Sequence, residues 1–268
     1  DFLPLGNGIH GLMIGDVSGK GLPAALRMAV ARTVFRHEAR RGNTPGSTLA
    51  SVNRGVISDI PQGMITMLYA TLDTASGSIR LANAGHNYPV LINGHVAEIE
   101  VTGLPLGVDC DSEYEEISAH IAPGDTVVLY TDGIVEATNQ GEEYFGFERL
   151  EELFAQKHQL KPRAMMAAVL HELRSWGEGN QVDDITIVVI RRRLACVGLE
   201  LRTIADDVLG VERASAVWDE LALPLHDAGA EVWNASVAAI VGYVQEHVGR
   251  GPARDLHRQL RLAIEEYR

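Results

Sequence analysis

The chain has 268 residues, 46% of them apolar, and a formal net charge of −13. That length can bury a substantial core in one large or two modest domains. The acidic balance weighs against a broad phosphate-backbone interface, which needs clustered Lys and Arg, so no nucleic-acid partner is expected. The two cysteines, Cys110 and Cys196, form no CxxC or other metal spacing, as expected in a reducing cytoplasm. No apolar run approaches the roughly 20 residues that cross a bilayer, and no signal peptide opens the chain. A cytoplasmic location without membrane contact is expected. Asp1-Phe2-Leu3-Pro4-Leu5 reads like the middle of a folded domain, which predicts a fragment.

The first strand runs through Leu12-Met13-Ile14 and ends near Asp16. Pro23 then sits just inside a helix start, and Ala24, Met28, Ala31 and Phe35 share one apolar face through about Arg41. Gly42-Asn43-Thr44-Pro45-Gly46 breaks that helix, and a second is predicted from Ser47, as N-cap, to about Asp59. Strands follow at Ile65 to Asp73, Ser78 to Asn83, and Tyr88 to Ile92, the last hairpinned through Asn93-Gly94 onto His95 to Val101. Tyr114 to Ile121 leads through Pro123-Gly124-Asp125 into Val127 to Tyr130. Helices are predicted at Phe147 to Lys157 and Pro162 to Trp176, before a strand from Ile185 to Ile190. This order suggests an α+β fold with helices packed outside paired sheets. From about Leu194 the texture changes. An extended segment, Val197 to Arg202, is expected to lead into helical sequence, with Leu256, Leu260, Ala263, Ile264 and Tyr267 on one face. The predicted division is 1–194 and 195–268.

Three short segments carry the chemistry: Gly15-Asp16-Val17-Ser18-Gly19-Lys20-Gly21, Tyr130-Thr131-Asp132-Gly133 and Asp183-Asp184-Ile185-Thr186. A lone strand-terminal aspartate is more often a turn former than a ligand. Three of them, at two strand exits and one strand entrance, can meet on one edge of antiparallel strands. Such a cluster repels itself unless a cation sits within it, which points to an all-oxygen site for Mg²⁺ or Mn²⁺. The glycines around Asp16 would let a main-chain oxygen near Val17 join the ligands. The segment fails as a phosphate-binding P-loop: its spacing is one residue short and Gly21 stands where Ser or Thr should hold Mg²⁺. Two ions about 4 Å apart would activate a bridging water for in-line attack on a phosphoryl group, so no protein nucleophile is needed. Cys110, between Asp109 and Asp111, is a poor one. His86, in Asn83-Ala84-Gly85-His86-Asn87, is a candidate proton donor to a leaving group, against the competing reading of a structural hydrogen bond.

Taken together with Pro23-Ala24-Ala25 and Gly103-Leu104-Pro105-Leu106-Gly107, these motifs resemble the bacterial SpoIIE/RsbU-type branch of the metal-dependent PPM (PP2C-like) serine/threonine phosphatases, over Asp1 to about Arg193. The resemblance implies an αββα sandwich with two Mn²⁺ or Mg²⁺ ions at one edge. It implies that Asp16 bridges both ions with help from the Val17 carbonyl, that Asp132 and Asp183 bind the other positions, and that Asp184 stands behind them. Two departures follow from the same comparison. A Gly-Gly-Asp-Phe-Tyr segment, whose aspartate serves the metal site, belongs on a strand before Asp1 and is expected to be missing. Ser18 stands where eukaryotic relatives carry a histidine.

The C-terminal part resembles the start of a GHKL-type ATPase domain of the anti-sigma-factor kinase class. Leu260 to Glu266 is similar to the helix ending in its Glu-x-x-x-Asn box, with Glu266 as the glutamate and the asparagine beyond Arg268. An amphipathic helix without that role fits these residues equally. Mg-ATP binding is expected only of the intact domain. The resemblances imply a phosphatase acting on phosphoserine or phosphothreonine of a STAS-type anti-anti-sigma regulator, with an upstream sensor or receiver domain as partner and a homodimer left open. Two other readings stay open: a catalytically impaired phosphoprotein-binding scaffold, and a bifunctional phosphatase-kinase whose kinase half is truncated.

Overall fold

The computed structural model describes residues 1–59, 63–177, 183–194, 196–225 and 228–266, the side chains of residues 59, 230 and 266 excepted. Elements in chain order are β1 (Phe2–Gly6), β2 (Ile9–Val17), α1 (Leu22–Ala39), α2 (Pro45–Asp59), β3 (Ile65–Asp73), β4 (Ser78–Ala84), β5 (Val90–Ile92), β6 (Val96–Glu98), β7 (Glu116–His120) and β8 (Thr126–Tyr130). They continue with α3 (Gly146–Lys157), α4 (Pro162–Trp176), β9 (Ile187–Arg191), α5 (Val197–Leu209), α6 (Val211–Glu220), α7 (Ala230–His247) and α8 (Arg250–Glu266). The chain divides into two compact units, Asp1–Arg192 and Arg193–Arg268.

The first unit holds two antiparallel sheets, ordered β1-β2-β3-β4-β7 and β6-β5-β8-β9. Alternation along each strand sends successive side chains to opposite faces, and the core divides accordingly. Met13, Val17, Met67 and Tyr69 pack with Ala31 and Phe35 of α1 and with Val52 and Val56 of α2. Leu12, Ile14, Leu68 and Ala70 meet Val127 and Leu129 from the other sheet. Val128 and Tyr130 turn the opposite way, toward Leu150 and Phe154 of α3 and Val169 and Leu173 of α4. The result is four layers, helix, sheet, sheet, helix, as the αββα expectation required.

α2 starts earlier than expected, at Pro45. The Thr44 carbonyl accepts from the Thr48 N–H at 2.9 Å, and the Ser47 hydroxyl only bonds back to Thr44. Pro45 has no N–H to lose at that position and its fixed φ suits a first turn.

The second unit is a helical bundle with its own core. The expected extended segment Val197 to Arg202 is instead the start of α5: Val197, Leu201, Ile204, Ala205 and Leu209 recur at helical spacing and are buried with Trp218, Trp233, Ile240 and Leu260. Among the described residues no helix is long and apolar enough to cross a membrane.

Candidate metal centre

Leu12 and Ile14 point between the sheets, so Asp16, next in the same alternation and one residue before the end of β2, lies on the inter-sheet face. Its antiparallel partner is Thr66. The chain then turns through Ser18 to Gly21, with Gly19 and Gly21 at φ 97° and 77°, a region that costs other residues roughly 1–2 kcal/mol. Ser18 ties this turn to the start of β3. Its N–H donates to the Met64 carbonyl at 3.0 Å and its hydroxyl accepts from the Met64 N–H at 3.0 Å.

β8 is buried throughout and delivers Thr131 and Asp132. Thr131 stitches the exit of β8 to the approach of β9. Its N–H donates to the Thr186 carbonyl (3.0 Å), and its hydroxyl donates to the Asp184 carbonyl (3.2 Å) and accepts from the Thr186 N–H (2.9 Å). Gly133 lies so close to the Asp184 carbonyl that a Cβ there would collide with it. Asp132 and the Asp183-Asp184 pair are neighbours for these reasons. The Asp184 N–H donates to Asp183 Oδ1 at 2.9 Å, orienting that carboxylate.

Asp16, Asp132, Asp183 and Asp184 line one open cavity of about 960 Å³, together with Val17 and Lys20. Burial, then the charges of Asp132 and Asp183, push the Asp16 carboxyl above the usual carboxylate range, partly offset by the Val17 N–H. Glu136 is pushed up in the same way, by burial and then by Asp132 and Asp183. It follows Asp132 by one turn, its N–H bonded to the Asp132 carbonyl at 2.8 Å. The aspartates therefore repel one another, and a cation would relieve that repulsion. The all-carboxylate donor set suits a hard divalent ion such as Mg²⁺ or Mn²⁺. Among the described residues, only Asp109, Cys110 and Asp111 bring three candidate ligand atoms within 4.8 Å of one another. The four aspartates do not meet that spacing and share the cavity wall instead. The Asp109–Asp111 cluster is exposed and does not line the cavity.

His86 does not line the cavity. It is 6% exposed, and burial lowers its imidazole to about 4, partly opposed by the Tyr130 main chain. Its burial and its 2.9 Å contact with Thr66 Oγ1 favour the competing reading of a structural hydrogen bond. Glu266 closes α8, and its side chain lies outside the described residues. Sequence reading missed Glu136, Thr66 and Thr131. Glu136 could have been found from its spacing of one turn after Asp132; the threonines needed the strand register.

A family described as Stage II sporulation protein E (SpoIIE) matches residues 7–193. Phosphoserine phosphatase RsbU of Bacillus subtilis is 30% identical over 190 residues, covering 68% of this chain and 56% of that protein. The chain thus spans little more than half the length of that relative. The SiaA-PP2C domain of Pseudomonas aeruginosa superposes with a TM-score of 0.64 at 23% identity, over 71% of this chain and 78% of that one. A crystal structure of the RsbU and RsbW domains of a Mycobacterium tuberculosis protein superposes with a TM-score of 0.63 at 25% identity, over 94% of this chain and 73% of that one.

Proposed function

The chain belongs to the SpoIIE family of PP2C-type domains, and on that premise we propose that it is a divalent-metal-dependent phosphatase of phosphoserine or phosphothreonine on a STAS-type regulator protein. The observation that carries the proposal is the convergence of Asp16, Asp132, Asp183 and Asp184 on one cavity. Asp16 would hold metal from the first sheet, with the Val17 carbonyl beside it, and Asp132 and Asp183 would hold metal from the second. Asp184 supports Asp183 through its main chain. When bound, Mn²⁺ or Mg²⁺ would supply Lewis acidity and an activated water for phosphoryl transfer. Lys20, on the cavity wall, favours the approach of an anion. The Ser18 hydroxyl, held by the Met64 N–H, keeps the Asp16 turn closed on β3.

Two free cysteines, Cys110 exposed and Cys196 buried, support a reducing cytoplasmic setting. For residues 195–268 we propose the N-terminal part of a GHKL-type domain. The alignment over 94% of this chain with a structure of RsbU and RsbW domains supports that reading. Mg-ATP binding is expected only where the Asn-bearing part of the box accompanies Glu266. An upstream sensor or receiver domain and self-association remain compatible with the proposal.

The experiment is phosphate release from a phosphorylated STAS protein across a Mn²⁺ titration, beside Asp132→Asn. Metal-dependent release that the substitution abolishes supports the phosphatase. Binding of the phosphoprotein with no release at any Mn²⁺ concentration would favour the scaffold reading.

A further inference from the structure

We propose that His86 is a positioning residue that sets the separation of Asp16 and Asp132, bridging the two sheets with a neutral ring whose Nδ1 accepts from the Thr66 hydroxyl and whose Nε2–H faces the Tyr130 carbonyl. The proposal rests on the reading of Asp16 and Asp132 as metal ligands.

The turn Asn83 to Asn87 leaves β4 in the first sheet and leads to β5 in the second. Asn83 fixes His86 inside it, accepting from its N–H at 2.8 Å and donating to its carbonyl at 2.7 Å, both buried. From there Nδ1 lies 2.9 Å from Thr66 Oγ1, and Thr66 is the residue opposite Asp16 in the β2–β3 ladder. The same turn reaches the second sheet, where the Asn87 side chain lies beside the Tyr130 hydroxyl and the Tyr130 main chain lies beside the His86 ring. Tyr130 precedes Asp132 by two residues.

Nε2 is buried and has no partner at full hydrogen-bond geometry; a buried N–H calls for an acceptor, and the Tyr130 main chain beside the ring offers one. A carbonyl can only accept, so the ring nitrogen facing it carries the proton. Nδ1 is then a lone pair, and the Thr66 O–H must donate to it. With that proton committed, Thr66 cannot donate to the adjacent Asp16 carboxylate, which keeps its oxygens for a cation. Partners of this kind typically change metal affinity by about 10–100-fold when removed.

The test uses the whole chain. Without metal, ¹⁵N NMR of the histidines near neutral pH should show His86 as the neutral Nε2–H tautomer; the Nδ1–H form would overturn the proposal. Mn²⁺ titration followed by electron paramagnetic resonance should show binding weakened about tenfold or more in Thr66→Val and His86→Gln, and kept within about twofold in Thr66→Ser, which restores the hydroxyl. If His86→Gln does not fold, Thr66→Val carries the test, because it removes the hydroxyl with little change of shape. Folded variants that bind Mn²⁺ as the wild type does would sink the positioning role and leave the metal site standing. A wild-type chain that binds no Mn²⁺ would overturn the metal-site reading and this proposal with it.

Discussion

Asp16 is under two opposed demands, since the carboxylate that a cation needs is one that the metal-free fold repels. Its pKa in the folded chain lies above the ordinary value, so its contribution to stability is present below the unfolded pKa and is lost as pH rises through the folded one. At neutral pH the metal-free protein should therefore be stabilised by Asp16→Asn, read as a higher melting temperature, while the stabilisation that Mn²⁺ gives the wild type disappears. His86 has the other sign of pH dependence. Its folded pKa of about 4 lies below the roughly 6.5 of an unfolded histidine. Above both values pH has no effect; between them the unfolded chain binds a proton that the folded one refuses. Stability should fall as pH drops, by at most about 1.4 kcal/mol per unit, and urea midpoints at about pH 7 and about pH 5 should converge in a folded His86 variant. At Gly133 the issue is space. Gly133→Ala would drive the β8 exit away from the Asp184 carbonyl and should weaken Mn²⁺ binding with a smaller effect on melting, measured by titration and calorimetry.

At the scale of elements, the strands bearing Asp16 and Asp132 were readable because a polar residue closing an apolar run stands out against the β period. α4 appears with its expected bounds, Pro162–Trp176, since Pro opens it and Met165, Val169 and Leu173 mark its buried face. α5 was misread because Val197 to Arg202 is short and apolar, and such a run satisfies strand and helix patterns equally until its contacts are known. α1 is held in two ways. Phe35 is fully buried and meets Tyr69 edge-on at 4.9 Å between ring centroids, while Arg36 and Arg32 both engage the Asp1 carboxylate, at 2.7 and 3.0 Å. Phe35→Ala should cost about 3–5 kcal/mol by denaturant unfolding. Arg32→Ala, at an exposed pair, should cost at most about 1 kcal/mol.

In the whole molecule, two separate cores imply separable stabilities. Trp233 is almost fully buried in the bundle of the second unit, and Trp233→Ala should cost that unit about 3–5 kcal/mol while metal-dependent phosphate release stays at the wild-type level. A coupled loss of both would count against independent units. The alternation of apolar residues, the helix faces and the three aspartate segments were all present in the sequence, because periodicity and strand-end polarity are local properties of the chain. They determined the α+β class, the layering of helices outside sheets and the identity of four cavity carboxylates. The roles of Thr66, Thr131 and His86 could not be read that way. Each depends on register or on a turn crossing from one sheet to the other, and these are set by packing between residues as far apart as Thr131 and Thr186. Tertiary structure alone decided that His86 is a buried neutral group linking strands, because whether an imidazole meets water or a low-dielectric interior is a property of what folds around it.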